Sequence, residues 1–454
     1  MVPLADSLDA FAARMHLIST AQRAIDIQYY IWRDDTTGNL LLRALREAAR
    51  RGVRVRLLLD DNGTTGLDGK LALLNAEPNA EARLFNPFPF RTAKQLGFLT
   101  DFNRLNRRMH NKSLTVDGQA TIVGGRNIGD EYFDATHDIT FTDLDVMAVG
   151  SVVDDVSRDF DRYWNSESAY PLEQLVAMPG KREAQSLARD DTHRTRDPKT
   201  HAYIEAVKKS AFIEGLLAGT LEFYWVPVRM VSDDPGKVLG RAGPEAMLAT
   251  RLASILGKPR HSVDLISPYF IPTRQGVEIF DSLAKQGVRV RILTNAMEAT
   301  DVLAVHAGYA KYRRPLLHSG ITLFEMRRAA DPEAPKEKAG PFGSSGSSLH
   351  AKTFAVDGQR VFVGSFNFDP RSALLNTELG FVIESEAMAH AMSNIFDHKI
   401  PGRAYQLALD DQDHIIWLER LPDETRTLTT EPSTPFWKRW YVGALSLLPI
   451  EHLL

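Results

Sequence analysis

The stretch MHNKSLTVDGQATIVGG (residues 109–125) returns later in the chain as LHAKTFAVDGQRVFVGS (residues 349–365). Both copies carry His-x-Lys and then, after four intervening residues, Asp, and the second copy lies 240 positions after the first. The matched positions are His110, Lys112, Asp117, Gly124, Gly125 and Asn127 in the first copy and His350, Lys352, Asp357, Gly364, Ser365 and Asn367 in the second. A lone His-x-Lys pair arises by chance, whereas two matched copies of a pattern this long indicate an internal duplication.

Each copy predicts a β-hairpin. In the first, His110 and Lys112 are two residues apart, so in a strand both project from one face. Asp117-Gly118 supplies a turn, and the apolar run after it is typical of the returning strand. The second copy repeats this plan around Asp357-Gly358. We therefore expect the histidines and lysines to lie on rigid strands.

A wider duplication surrounds the two hairpins. AIDIQYYI (residues 24–31) precedes a helical stretch that ends at Gly52 and leads into VRVRLLLDD, and SVDLISPYFI precedes one that ends at Gly287 and leads into VRVRILTN. Strand, helix, glycine cap and strand form a βαβ unit. The chain is thus predicted to be α/β, with two pseudo-twofold-related βαβ repeats, each a mixed sheet flanked by helices. We expect one shared active site between them.

Composition bounds the domain organisation. The 454 residues are 44% hydrophobic, enough for two cores of roughly 200 residues each. We predict a first repeat over residues 1–170, a charged helical linker over 171–212, and a second repeat over 213–454 that ends in a C-terminal tail. Absence of cysteine excludes disulfides, thiol nucleophiles and thiolate metal sites. The formal charge of −4 argues against a nucleic-acid partner.

The paired residue types suit chemistry at a phosphodiester. An anionic diester repels nucleophiles, so a catalyst must supply positive charge, a nucleophile and a proton for the leaving oxygen. Two lysines can supply the charge without a metal, and no metal or nucleotide fingerprint is present, so we expect no cofactor. Two histidines can divide the tasks of nucleophile and acid. Three side chains are expected at the non-bridging phosphate oxygens: Asn127, Asn367 and Ser365.

A family resemblance follows from these motifs and four longer phrases: QYYIW (28–32), GGRNIGDEYF (124–133), VSDDPGK (231–237) and SFNFDPRSALLNTELGFVI (365–383). Together they resemble the phospholipase D superfamily and, within it, bacterial cardiolipin synthases, most closely the C type. The resemblance implies transfer of a phosphatidyl group from phosphatidylglycerol or phosphatidylethanolamine to phosphatidylglycerol through a phosphohistidine. His110 would attack, and His350 would protonate the departing alcohol and then activate the acceptor. The six motif residues implied as catalytic are His110, Lys112, Asp117, His350, Lys352 and Asp357.

Two alternatives use the same motifs. A phospholipase D would let water accept the phosphatidyl group and release phosphatidic acid, and a nuclease could be built on the same scaffold. The acidic balance and the aromatic tail favour lipid over nucleic acid. The sequence leaves open the phosphatidyl donor, the balance of synthase and hydrolase activity, and the oligomeric state.

Carboxylates are needed to hold the second ring nitrogen of each histidine. Aligning THDITFTDLDVMAV with LLNTELGFVI sets Asp143 against Glu378, and these two are the predicted histidine-orienting residues. Asp145 competes with Asp143 for the first site. Asp117 and Asp357 each precede a turn glycine, so they either take part in the chemistry or hydrogen-bond their own hairpin.

The tail PFWKRWYVGALSLLPIEHLL (residues 435–454) concentrates aromatic and leucine side chains beside Lys438 and Arg439. Such a segment either packs on the core or docks at a lipid interface. No apolar run reaches the roughly 18 residues that span a bilayer. We predict docking, and hence peripheral association with the bacterial inner membrane, with phospholipids and a membrane surface as partners.

Overall fold

The computed structural model describes residues 1–91, 93–136, 140–180, 182, 184, 186–187, 197–328, 347–449 and 451–454. Strands of the first half are β1 (Val2–Leu4), β2 (Ala24–Ile31), β3 (Arg54–Gly63), β4 (Ala80–Phe85), β5 (Ser113–Val116), β6 (Ala120–Gly124), β7 (Thr140–Thr142), β8 (Asp145–Val149) and β9 (Ala169–Pro171). Those of the second half are β10 (Val228–Ser232), β11 (Ser262–Ile266), β12 (Arg289–Asn295), β13 (Thr322–Met326), β14 (Ser347–Leu349), β15 (Thr353–Val356), β16 (Arg360–Gly364), β17 (Leu379–Glu384), β18 (Ala404–Leu409), β19 (Ile415–Arg420) and β20 (Thr425–Leu428).

The two sheets have matching strand orders. The first runs β1-β8-β6-β5-β2-β3-β4-β9, and the second runs β10-β17-β16-β15-β11-β12-β13-β18 before adding β19 and β20. In each sheet three strands are parallel, β2-β3-β4 and β11-β12-β13, and the other neighbours are antiparallel. The predicted α/β fold of two repeated mixed sheets is confirmed.

Helices flank both sheets. They are α1 (Ser7–Thr20), α2 (Thr36–Arg50), α3 (Asp68–Asn75), α4 (Gly97–Leu105), α5 (Val152–Trp164), α6 (Pro198–Lys208), α7 (Ala211–Ala218), α8 (Leu248–Leu256), α9 (Thr273–Lys285), α10 (Leu303–Ala310), α11 (Arg313–His318), α12 (Pro370–Leu374), α13 (Glu386–His398), α14 (Ile400–Arg403) and α15 (Phe436–Ser446). The crossover helices α2 and α9 both end before a glycine with positive φ, Gly52 at +95° and Gly287 at +84°. Glycine adopts this conformation without a Cβ clash, so the chain turns directly into β3 and β12.

The two halves share a hydrophobic core. Val123 and Val146 of the first sheet cluster with Val363 and Phe381 of the second. A small parallel sheet of β7 and β14 also joins the halves, with Thr142 opposite Leu349. Packing of this kind brings the two motif hairpins together at the centre of the molecule.

Part of the predicted linker lies outside the described residues, and its later part forms α6 and α7. Val207 and Phe212 are buried in the core of the first half, and Asp9 accepts a hydrogen bond from the Phe212 N–H (2.7 Å). The predicted boundary at residue 212 therefore falls within α7.

The C-terminal tail forms α15 and is attached on one side. Val442 is buried against Met297 and Ala307, and Lys438 Nζ donates to the Met297 carbonyl (2.7 Å). Within the described part of the chain, no helix combines the length and apolar character needed to cross a bilayer.

Candidate active site

The segment before each motif strand is joined by backbone hydrogen bonds to a segment of the opposite half. His110 and Lys112 immediately precede β5, and His350 and Lys352 immediately precede β15, so the expectation that these residues lie on the strands themselves was wrong. The His110 N–H donates to the Thr377 carbonyl (2.9 Å), and the Thr377 N–H donates to the Arg108 carbonyl (3.0 Å). In the second copy, the His350 N–H donates to the Thr142 carbonyl (2.8 Å). The residue that follows each threonine is thereby placed beside the histidine of the other half.

The histidine–carboxylate pairs are consequently crossed. His110 Nδ1 is hydrogen-bonded to Glu378 Oε2 (2.8 Å), and His350 Nδ1 to Asp143 Oδ2 (2.5 Å). The expectation that Asp143 serves the first site was wrong, because the segments that carry the histidines are hydrogen-bonded across the halves. Asp145 is also ruled out as a histidine partner: it forms ion pairs with Arg14 (2.8 Å) and Arg126 (3.3 Å).

The two carboxylates are supported differently. Ser365 Oγ donates to Glu378 Oε2 (2.5 Å) and accepts the Leu379 N–H (3.0 Å), so its hydroxyl is committed to the carboxylate. The expectation that Ser365 binds the substrate phosphate is therefore corrected. Gly125 occupies the equivalent position, where a Cβ would lie 2.2 Å from Asp143 Oδ1. A serine fits only where the longer glutamate side chain is used.

Two further residues, Asp233 and Lys237, hold Glu378 in place, and the sequence analysis did not single them out. Asp233 Oδ2 accepts both the Glu378 N–H (2.9 Å) and Lys237 Nζ (2.9 Å), and all three side chains are buried. Asp233 and Lys237 belong to the VSDDPGK phrase that carries part of the family resemblance. That phrase was the available signal.

Both motif lysines are buried next to their histidines. Lys112 Nζ donates to the His110 carbonyl (2.6 Å), and Lys352 Nζ donates to the His350 carbonyl (2.5 Å). An ammonium group has three donors. Each lysine can therefore present further N–H groups to a bound anion while its bond to the histidine carbonyl fixes its position.

Burial dominates the ionisation of this site. It lowers the pKa of Lys112 to about 7 and that of Lys352 to about 8, although the neighbouring carboxylates oppose the shift. Burial and the nearby lysines also lower the pKa of both histidines, that of His110 well below its usual value. A bound phosphodiester would return negative charge to the cluster and raise all four pKa values.

The pKa values of the two carboxylates shift in opposite directions. Burial raises the pKa of Glu378 to about 7. Burial would raise that of Asp143 as well, but His350, Lys352 and Arg126 outweigh it and lower the pKa to about 2. Asp143 is thus held as an anion next to His350. Glu378, in contrast, is protonated in about half of the molecules at neutral pH.

Aromatic rings enclose the imidazoles. Tyr30 meets His110 edge-on with ring centroids 4.9 Å apart, and Tyr132 and Phe141 lie 5.3 and 5.1 Å from the ring of His350. Sequence reasoning did not single out these rings, although Tyr30 and Tyr132 stand in QYYIW and GGRNIGDEYF. They exclude water from the histidine faces.

The motif asparagines are also buried here. Asn127 Oδ1 accepts the Ile31 N–H (3.2 Å), and its Nδ2 donates to the Tyr132 hydroxyl (3.0 Å). One amide N–H of Asn127 is left for a ligand. Asn367 is 4% exposed, and its Oδ1 has no hydrogen-bond partner among the described residues.

Asp117 and Asp357 do not belong to this site. Both stand in the left-handed region, at φ +55°, at the hairpin ends remote from the histidines. The carboxylate of Asp117 accepts the N–H groups of Gln22, Arg23 and Ala24, and that of Asp357 accepts those of Arg260, His261 and Ser262. Their assignment as catalytic was wrong: they fasten the hairpin turn to the start of the neighbouring strand.

No group of three or more potential ligands that could hold a metal ion occurs in the described residues.

Comparison with known proteins identifies the family. Residues 15–164 and 252–400 match the family described as cardiolipin synthase, PLD-like domain. The chain is 50% identical to cardiolipin synthase C of Escherichia coli (strain K12) over 454 residues, covering 100% of this chain and 96% of that protein. The chain belongs to the phospholipase D-like cardiolipin synthase family.

Two further relatives agree with this membership. Cardiolipin synthase of Geobacillus kaustophilus is 26% identical over 381 residues, covering 83% of this chain and 61% of that protein. The crystal structure of phosphatidylserine synthase from Haemophilus influenzae superposes with a TM-score of 0.61 at 14% identity, covering 100% of this chain and 95% of that one. This structural likeness shows the fold, and the resemblance seen in the sequence is confirmed.

Proposed function

We propose that the chain is a cardiolipin synthase, which transfers a phosphatidyl group from phosphatidylglycerol or phosphatidylethanolamine to a glycerol hydroxyl of phosphatidylglycerol. The observation that carries the proposal is the pair of buried histidines, each with a lysine from its own motif and a carboxylate from the other half. Membership of a family whose named relatives are cardiolipin synthases supports lipid as the substrate.

In the first step ionised Glu378 accepts the Nδ1–H of neutral His110, which leaves the Nε2 lone pair free to attack phosphorus. A nitrogen–phosphorus bond forms while the bond from phosphorus to the head-group oxygen breaks. His350 gives its proton to that oxygen, and ionised Asp143 stabilises the imidazolium that donates it. The different pKa values of Glu378 and Asp143 support this division, because a nucleophile must be neutral and an acid must be protonated.

In the second step His350, now neutral, takes the proton of the acceptor hydroxyl. The acceptor oxygen attacks phosphorus, and the bond to His110 breaks. Lys112 and Lys352 balance the charge on the non-bridging oxygens in both steps, together with the amide groups of Asn127 and Asn367. Two phosphatidylglycerols would yield cardiolipin and glycerol, and phosphatidylethanolamine with phosphatidylglycerol would yield cardiolipin and ethanolamine.

The test is to incubate the chain with phosphatidylglycerol, with phosphatidylethanolamine and with both, and to identify the products by mass spectrometry. Cardiolipin with a released head group is expected. Phosphatidic acid as the sole product in the presence of phosphatidylglycerol would make the chain a phospholipase. Cleavage of an oligonucleotide without lipid turnover would make it a nuclease.

Metal independence is expected because Lys112 and Lys352 supply the positive charge. Turnover of a soluble phosphodiester should survive EDTA, since chelation cannot then act through the lipid surface. Complete loss of this turnover, restored by one equivalent of a divalent ion, would contradict the mechanism.

We further propose peripheral association with the inner membrane through the C-terminal helix. Phe436, Trp437 and Trp440 are 74%, 64% and 67% exposed, and Leu447 is 85% exposed. Because Val442 and Lys438 attach the helix, deleting residues 435–454 would damage the fold. Trp437→Ser with Trp440→Ser is the sharper test.

This double variant should bind phosphatidylglycerol vesicles about tenfold more weakly or worse, because two large apolar side chains no longer enter the interface. Trp225→Ser is the matched control, since Trp225 is 80% exposed on the segment that pairs with Met1. Equal losses in both proteins would argue against docking by the helix.

A further inference from the structure

Residues 86–91 and 93–108, which lie between β4 and β5 and are here called the entrance segment, are held to the protein by polar groups. Asp61 is 0% exposed and accepts hydrogen bonds from Arg91 (2.5 Å) and Lys94 (2.8 Å). Asn86 Nδ2 donates to the carbonyls of Arg104 (2.9 Å) and Arg107 (2.6 Å). Charged and polar groups of the segment thus face inward.

Phe88 and Leu105 are buried, but four other apolar side chains of the segment face outward. Leu99 is 84% exposed, Leu96 54%, Phe90 46% and Phe102 45%. Of the helix α4 in this segment, only Gly97 and Leu105 are buried. A helix at a water-facing surface normally shows the opposite arrangement, with apolar residues inside and charged residues outside. An exposed apolar group held in place by buried ion pairs is typical of an interaction surface.

Arg371 joins this segment to the C-terminus and lies close in sequence to the second motif. Its guanidinium donates to the Asn106 carbonyl (2.9 Å) and to the Leu453 carbonyl (2.6 Å), and its backbone N–H donates to the Leu454 carbonyl (2.8 Å). Asn106 lies four residues before His110, and Arg371 lies four residues after Asn367. Leu374, which is 57% exposed, lies at the end of α12, the short helix that also contains Arg371.

We propose that the entrance segment and the C-terminal helix form one docking surface for an anionic phospholipid bilayer, with the first repeat supplying one side and the second repeat the other. This inference rests on the proposed lipid substrate. The surface would hold the acyl chains of a phospholipid in the bilayer while its phosphate reaches His110.

Charge favours a bilayer over an uncharged apolar partner. Arg107, at the end of the entrance segment, donates to the neutral Lys237 carbonyl (3.0 Å). Arg439, on the C-terminal helix, has no carboxylate partner among the described residues. Both guanidinium groups can therefore contact lipid phosphates, and apolar groups flanked by cations suit the interface of an anionic membrane.

The absence of cysteine allows a direct test of insertion. Leu99→Cys and, as a matched control, Leu217→Cys would each be labelled with an environment-sensitive fluorophore. Leu217 is 82% exposed, against 84% for Leu99, but it lies on α7, which packs on α1. Vesicles of phosphatidylglycerol and phosphatidylethanolamine should shift the emission to the blue at position 99 and leave position 217 unchanged.

Affinity gives the second test. Leu99→Ser with Phe102→Ser should weaken sedimentation with the same vesicles about tenfold, because two apolar side chains lose their burial in the interface. Leu217→Ser should leave it unchanged. Turnover of vesicle lipid relative to that of a soluble phosphodiester should fall in parallel with binding.

Three outcomes would overturn the inference: no emission shift at position 99, equal shifts at 99 and 217, or a shift that follows protein concentration without vesicles. The last would assign the surface to a second copy of this chain. Binding that depends on Leu99 in a protein that makes no cardiolipin would contradict the proposed function and leave the docking surface standing.

Discussion

The two half-sites differ more in their surroundings than in their motifs. His110 is paired with Glu378, whose carboxylate is held by Ser365 and whose backbone is bonded to Asp233. His350 is paired with Asp143, which stands against Gly125 and accepts the Leu144 N–H (2.8 Å). Duplication thus supplied two similar histidines, and their partners made them electrostatically unequal.

The different pKa values of the two carboxylates favour different roles for the two histidines. A glutamate with a pKa near 7 leaves a neutral imidazole beside it, whereas an aspartate with a pKa near 2 stabilises an imidazolium. The following predictions test this division, starting with the largest expected effect.

His110→Ala should lower turnover by about 10⁴-fold or more and abolish covalent labelling by substrate, because the nucleophile is lost. His350→Ala should still permit slow labelling of His110 by a substrate with a good leaving group, yet block its resolution. Quench-flow with a radiolabelled diester measures both steps. Labelling that persists in His110→Ala and is absent in His350→Ala would reverse the roles.

Asp117→Asn is the control for the histidine variants, since Asp117 belongs to the motif but fastens the hairpin. Its turnover should stay near that of the wild type while its midpoint of thermal unfolding falls. A turnover loss as large as that of His110→Ala would restore Asp117 to the active site.

The crossed pairs should give carboxylate effects that follow the partner histidine and not the sequence motif. Glu378→Gln should slow formation of the phosphohistidine by about 10² to 10⁴-fold, and Asp143→Asn should slow its resolution by a similar factor. Single-turnover kinetics separate the two steps. If Asp143→Asn impaired only the attack by His110, the crossed pairing would be wrong in solution.

Exchanging Gly125 and Ser365 should lower turnover by different factors. Gly125→Ser should lower turnover about 100-fold, because its Cβ would lie 2.2 Å from Asp143 Oδ1 and displace that carboxylate. Ser365→Gly should cost about tenfold, the effect of one hydrogen bond to a carboxylate. Comparing kcat in the two variants measures the asymmetry, and equal losses would show that Gly125 and Ser365 hold their carboxylates alike.

The smallest expected effect is on how the free energy of unfolding depends on pH. Glu378 has a pKa of about 7 in the folded protein, above its unfolded value of 4.5. Its contribution to the free energy of unfolding is therefore fully present below pH 4.5 and is lost as the pH rises through 7. Relative to Glu378→Gln, the wild type should lose about 3 kcal/mol of unfolding free energy over this range.

Urea unfolding at pH 4.5, 6 and 7.5 would measure this difference. Asp143→Asn is the matched comparison, because a lowered pKa contributes stability above the unfolded pKa of 3.8 that is lost as the pH falls through about 2. Parallel curves for the wild type and Glu378→Gln would contradict the raised pKa.

The duplication, the hairpins and the α/β class could be predicted because their signals are local. Apolar residues alternate along the strand that follows His110 and Lys112, and the glycine that ends each crossover helix stands in the same phrase in both halves. Alternation along a strand and capping of a helix depend on neighbours within a few residues, so such patterns survive in a single sequence.

The site required long-range contacts that no local pattern records. Glu378 lies 268 residues from His110, and Asp143 lies 207 residues from His350. Alignment of the two halves singled out the two carboxylates that the structure places beside the histidines, yet it set Asp143 at the first site, because a duplicated sequence cannot say which copy faces which.

What the sequence by itself determined is the repeated architecture, the family and the histidines and lysines of the two motifs. Only the tertiary structure decided that Asp117 and Asp357 fasten hairpins, that Ser365 supports Glu378, and that Phe90, Leu96, Leu99 and Phe102 face outward. The physical reason is that a side chain's task depends on which partners the fold brings to it, and those partners lie on other strands and in the other half.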